Sequence, residues 1–206
     1  MYDALPRDYQ DFLRLSDVEL NWLARVPDEV SGDNIAVFGG CAINEAYAHS
    51  WKMDAEHHHL TGSVATVLSQ APRLARDAVR EGQFDEARRH IGMAFGHYAV
   101  DATTIWHLTR DLTADQHRTG EAACARVVAK VLQHPGPLPL PVPKSLFDSA
   151  VQVSADTLDQ QFAPVKAAQE GGSYAKDLDL IAAQVNRCAA FGLSVALYIW
   201  RYVATA

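Results

Sequence analysis

The sequence predicts an all-α fold. Apolar residues recur near a 3.6-residue spacing in several long stretches, and glycine and proline breaks separate those stretches. No stretch sustains the two-residue alternation of a half-buried strand. With 206 residues, 49% hydrophobic and 21% charged, the chain has the size and balance of one soluble domain. That length buries a sizeable core without disulfides. We therefore expect a multi-helix bundle over residues 1–206, a single helical domain with one internal linker.

The elements follow in order. Tyr9, Phe12, Leu13, Leu20 and Leu23 give the first thirty residues a helical period, with Trp22 beside the last of them. Pro27 ends that element or starts the next, Ser31-Gly32-Asp33-Asn34 and Gly39-Gly40 are breaks, and a helix is expected from Ile43 to Trp51. Val64, Val67, Leu68, Leu74 and Val79 mark a helix with Pro72 as the place for a kink. Gly82 suits the residue after that helix's C-cap. Phe84 to Thr103 reads as the next helix, and Ala114 to Leu132 as another. Residues 134–143, HPGPLPLPVP, hold five prolines in ten positions and predict an extended linker. Two helices then follow, Leu146 to Glu170 with Pro164 kinking or interrupting it, and Leu178 to Val203, separated by Gly171-Gly172.

Composition excludes some classes of function. Eighteen basic against 25 acidic residues give a net charge of −7, the wrong sign for a protein living on nucleic-acid backbones. The amino-terminal MYDALPRDYQDF lacks the apolar stretch of a secretory signal. The apolar tail from Ala189, with Arg201 as its only charge, is marginal in length for a span and continues a helical pattern, so a core helix and no membrane span are expected. Cys41, Cys124 and Cys188 are odd in number and lack metal-ligand spacing, which predicts reduced thiols in a cytoplasmic protein.

The chemistry concentrates in one stretch of a chain with nine histidines. His97 and Asp101 lie four apart, as do His117 and Glu121, so each pair shares a helix face, and His107 stands in the connection between them. Two antiparallel helices can turn such pairs toward each other, which is how bundle cores build metal sites. Imidazole and carboxylate without thiolate suit zinc, with iron or manganese as other occupants.

These residues resemble the bacterial zinc-dependent phospholipases C and the single-strand-specific nucleases that share their fold. That family has a His-Tyr-x-x-Asp helix, a histidine six residues after the Asp, and a His-x-x-x-Glu/Asp helix. Here His97-Tyr98-x-x-Asp101, His107 and His117-x-x-x-Glu121 stand at those places. Arg80 to Ala87 and Ile91-Gly92 are similar to the approach to that motif, Ala48-His49-Ser50-Trp51-x-x-Asp54 and Pro27-Asp28 to segments that supply further ligands, and Tyr198-Ile199-Trp200 to the family's last helix. The similarity covers about Pro27 to Leu132 and the rest weakly. It implies one metal on Asp28, His49, His97 and Asp101 and a second on His107, His117 and Glu121, with room left for water or substrate. Two zinc ions are the expectation, with Asp101 nearest the gap between them.

Three departures from the family stand out. Its third metal uses an amino-terminal Trp and a histidine of the first helix, whereas this chain starts with Met1, its first Trp is Trp22 and its first His is His49. Ile105 stands where the family carries Pro two residues before the loop histidine. Family phospholipases are secreted, and no signal is read here.

Other residues take plainer readings. His57-His58-His59 is read as a solvated helix end that can alternatively replace His49 or rebuild the third site. His90 is assigned to the surface or to a supporting place behind the ligands, and His134 to structure. Tyr98, Trp106 and Arg118 adjoin ligands and are candidates for binding substrate, Arg118 as a clamp on an anionic group. Asp111 and Asp115 read as loop or N-cap residues. The expected function is a metal-dependent phosphoester hydrolase with metal-activated water, Asp28 or another ligand carboxylate acting as general base. The alternatives are a metal enzyme of small-molecule biosynthesis, such as a cyclase, lyase or isomerase, and a helical protein in which metal only supports folding or is absent. A small-molecule or phosphoester substrate is the expected partner, without stable nucleic-acid binding.

Overall fold

A computed structural model describes residues 5–14, 16, 50–131 and 145–205. Asp28, His49, Cys41, His134 and the proline-rich stretch 134–143 lie outside the described residues. Within them the fold is all-α apart from one small hairpin.

Helix α1 (Arg7–Leu13) turns Tyr9 and Leu13 into the core, where the Tyr9 ring stacks on Trp200 at 4.5 Å. Strands β1 (Trp51–Met53) and β2 (His59–Gly62) pair antiparallel, with Lys52 opposite Thr61 and a register shift between Lys52 and Met53. This corrects two expectations: Trp51 does not end a helix, and the three histidines sit on a hairpin rather than a helix end. Strands of three and four residues are too short for alternation to show. The turn closes through Asp54, whose Oδ1 accepts from the Glu56 and His58 amides.

Helix α2 (Val64–Arg80) buries Val64, Val67, Leu68, Ala71, Leu74, Ala75 and Ala78, a stripe at helical spacing. It runs unbroken through Pro72. Its end has the cap expected at Gly82: φ is +74°, the Gly82 amide donates to Val79 O and the Gln83 amide to Ala78 O. Helix α3 (Phe84–Met93) then passes into a five-residue π-helical turn, Ala94–Tyr98, and the short α4 (Ala99–Asp101). The single helix expected over Phe84 to Thr103 is thus three segments.

After α5 (Ile105–Leu108), α6 (Ala114–Val131) starts at a reciprocal cap. The Gln116 amide donates to Thr113 Oγ1 and the Thr113 amide to Gln116 Oε1, so Thr113, not Asp115, caps the helix. Helix α7 (Leu146–Glu170) is continuous through Pro164, and Ser145 caps it by accepting from the Asp148 amide. Helix α8 (Leu178–Val203) packs against α2, α6, the π turn and α4. From Cys188 to Ala196 every residue is buried, so this helix is apolar all round because bundle surrounds it. By length and composition alone it could cross a membrane, yet its most apolar stretch is mostly buried within the chain.

Candidate metal centre

The π turn and α4 carry the first pair. His97 Nε2 lies 3.2 Å from Asp101 Oδ2, and both side chains are buried. Such turns occur mostly as single bulges within α-helices and frequently at functional sites. The chain then leaves the helix through Ala102 to Thr104, and side chains from distant helices fix that exit. Ser154 of α7 donates to Ala102 O at 2.6 Å, and Gln184 of α8 donates to Thr103 O at 2.7 Å. Thr104 Oγ1 donates back to Val100 O. The bonds from Ser154 and Gln184 satisfy carbonyls that the ended helix leaves open.

The turn delivers His107 to the front of α6. His107 Nε2 lies 3.1 Å and His117 Nε2 2.8 Å from the same Glu121 Oε1, and His107 Nε2 is 3.8 Å from Asp101 Oδ1. Asp101 therefore stands between His97 and His107, one carboxylate oxygen toward each. The donor atoms of His107, His117 and Glu121 all lie within 4.8 Å of one another. A tetrahedral ion with bonds of about 2.1 Å spaces its ligand atoms at about 3.4 Å, so this donor set fits zinc after small shifts. Side-chain exposure is 13% for His107, 34% for His117 and 48% for Glu121, which leaves the cluster accessible from the α6 side. Burial acts to raise the Glu121 pKa, but hydrogen bonds from His107 and His117 outweigh it and hold the carboxyl at about 2. Two imidazoles already serve this carboxylate as a cation would.

Trp106 forms the floor. It is buried, its ring lies parallel to His117 at 6.4 Å, and Nε1 donates to Gln169 Oε1 of α7 at 3.3 Å. Gln169 also donates to Gln116 O, tying α6 to the same point. Gly120 makes this packing possible: a Cβ there would lie 2.0 Å from Trp106 Cζ2. The sequence shows this only as a glycine within an otherwise good helix, beside Glu121.

The remaining candidates fall as follows. Tyr98 is buried with its ring edge-on to His97, so Tyr98 and Trp106 pack behind the candidate ligands rather than line an open surface. Arg118 is exposed and bonds Asp115 at 2.6 Å, beside an open groove of about 420 Å³ lined by Ala114, His117, Arg118, Glu121, Ala122 and Ala125. His90 is buried rather than on the surface, with Nε2 3.2 Å from Glu86. The three hairpin histidines diverge: His57 bonds Asp159 of α7, His58 bonds Asp54, and His59 stacks on Trp51. Asp54, Glu56 and His58 form a second, more exposed group of candidate ligands. Cys124 and Cys188 are free thiols, and burial pushes the Cys124 thiol up to about 11.

One side chain in this region was not singled out from the sequence. Lys52 of β1 donates to Trp106 O at 2.6 Å and to Thr109 O at 2.7 Å. Nothing in its local sequence marks it, since both partners lie more than fifty residues away.

Comparison with known proteins gives a likeness of fold. No family model matches the chain, and no curated protein matches it significantly. Among solved structures, the chain is similar to the alpha-toxin of Clostridium perfringens from avian strain SWCP, with a TM-score of 0.58 and 13% identity. The match covers 98% of this chain and 58% of that one, so the chain spans under two thirds of the toxin's length. At that identity the likeness shows the helical architecture, and the helical bundle of this chain is the fold it shares with the toxin.

Proposed function

We propose that the chain is a metal-dependent hydrolase acting on a phosphoester. In this reading His107, His117 and Glu121 hold one zinc ion, and His97 and Asp101 hold a second together with Asp28 and His49. The observation that carries it is the convergence of two imidazoles and a carboxylate on one point, with Asp101 beside them. The motif resemblance supports the same reading. When bound, zinc supplies an activated water near neutral pH and stabilises charge on the phosphoryl and leaving oxygens.

The chain's own residues do the rest. Trp106 and Gln169 hold the α6 face against the His107 turn, so the ligand atoms need little rearrangement. The groove along α6 admits the substrate to the exposed side of His117 and Glu121. Arg118 stands at that groove and, released from Asp115, pairs bidentately with phosphate oxygens. By the motif resemblance Asp28 would serve as general base for that water. Elemental analysis of protein purified without added zinc, with hydrolysis of a chromogenic phosphodiester, tests the reading. About two ions per chain and turnover abolished by chelation and restored by zinc are expected. Protein that stays metal-free with zinc freely available overturns it. Phosphocholine lipids and single-stranded nucleic acid, offered separately, define the substrate.

A further inference from the structure

Helix α5 consists of four residues, Ile105–Leu108, and its N-cap residue Thr104 makes no side-chain capping bond. One isolated turn is unstable, because nucleation fixes several dihedrals for a single hydrogen bond. Yet this turn carries His107, whose ring must meet Glu121 on one side and Asp101 on the other. Glu121 and Asp101 meet the His107 ring, and the Lys52 ammonium holds the backbone of the turn itself.

We propose that Lys52 is a positioning residue for the metal centre. From the middle of β1 its ammonium bonds Trp106 O and Thr109 O, the carbonyls on either side of His107, and so fixes the backbone from which that imidazole projects. The proposal rests on the reading of His107 as a metal ligand. Three features suit lysine to the task. An ammonium has three donors, enough for two carbonyls at once. Thr109 is the C-cap of the turn, and the last carbonyls of a helix lack intrahelical partners. The hairpin's register shift falls between Lys52 and Met53, and bulges of this kind re-aim side chains beside active sites. Burial, and then the Arg110 charge, push the Lys52 pKa below its ordinary value, and the two carbonyls accept from the ammonium where water is displaced.

The test is a cobalt(II) titration of the full chain, read by the visible bands of the bound ion, for the wild type, K52M and K52R. Methionine keeps the stem and removes the donors; arginine returns charge and donors. Partners behind a ligand are typically worth 10- to 100-fold in metal affinity. Lys52 acts through backbone, so K52M is expected to weaken cobalt binding about tenfold at unchanged circular dichroism, with most of the loss restored in K52R. Affinity of K52M within about twofold of wild type overturns the proposal, since it lies far below that range. Wild type without cobalt bands overturns the metal reading itself, which separates the two failures. Should K52M not fold, acetic anhydride labelling of the wild type decides. Lys52 is expected to label about tenfold more slowly than the exposed Lys130 and Lys176, and equal rates overturn the clamp.

Discussion

Substituting Gly120 by alanine sets two opposed effects against each other. In a helix interior the change normally stabilises by about 0.8–1.0 kcal/mol, because alanine is the better helix former. At this position the added methyl would stand 2.0 Å from Cζ2, 2.3 Å from Cε2 and 2.8 Å from Cη2 of Trp106. Carbon atoms rest at about 3.5–4.0 Å, so the ring or the helix must retreat by about 1.5 Å. Trp106 has little room to do so: it is 2% exposed, packs edge-on against Tyr174, and is tied to Gln169. Overpacking a tight core costs about 1–3 kcal/mol, and so short a contact belongs at the upper end. The net expectation is about 2 kcal/mol of destabilisation, which lowers the melting temperature by about 4–8 °C in a domain of this size. Urea titration followed by circular dichroism measures it, with G96A as the control, since a Cβ at Gly96 meets nothing within 4 Å. A G120A protein more stable than wild type by about 1 kcal/mol would show propensity alone at work and refute the packing of Trp106 under α6.

Four further outcomes are expected. S154A leaves the buried Ala102 carbonyl without its donor and should cost about 1–3 kcal/mol in the same titration; no loss would deny that bond a role at the helix exit. H97A should empty one metal site and H117A or E121Q the other, each removing about one ion per chain by elemental analysis; unchanged metal content in any of them removes that residue from the ligand set. With metal chelated, the Glu121 carboxyl, held at about 2 against an ordinary 4.5, contributes stability that is fully present above pH about 4.5 and lost as pH falls toward 2. E121Q should flatten acid unfolding across that window, and an identical profile contradicts the pairing with His107 and His117. Because burial keeps the Cys124 thiol protonated up to about pH 11, iodoacetamide at pH 8 should alkylate Cys124 far more slowly in folded than in unfolded protein, as peptide mass spectrometry can follow. Equal rates would show the thiol open to solvent.

The long helices were legible because each repeats its signal over many turns. Leu146–Glu170 and Leu178–Val203 have the bounds read from periodicity, glycine breaks and caps. The hairpin was not legible, because its support is tertiary: Trp51 packs edge-on against Phe147 and stacks on His59. The π turn was hidden for another reason, since Ala94–Tyr98 keeps a helical composition and only its hydrogen bonds differ. At the site, spacing alone gave the pairs His97/Asp101 and His117/Glu121. What spacing cannot give is the direction from which His107 arrives. Ser154, Gln184 and Lys52 set that direction, and each is fifty or more residues from the backbone it holds.

The wider turn at Ala94–Tyr98 also changes the phase of the helix it interrupts. Along an unbroken α-helix each residue advances about 100°, so the stripe that faces the core upstream dictates where every downstream side chain points. Here Ala87 and Ile91 face the core before the turn, and His97 and Asp101 meet at the end of it. One extra residue of rotation lies between those two duties. Deleting a single residue from this turn would leave the helix content nearly intact while rotating its two halves by about 100° relative to each other. Either the apolar stripe or the ligand pair would then face the wrong way. The turn thus uncouples core-building from ligand presentation within one rod, and substitutions that improve one of them need not disturb the other.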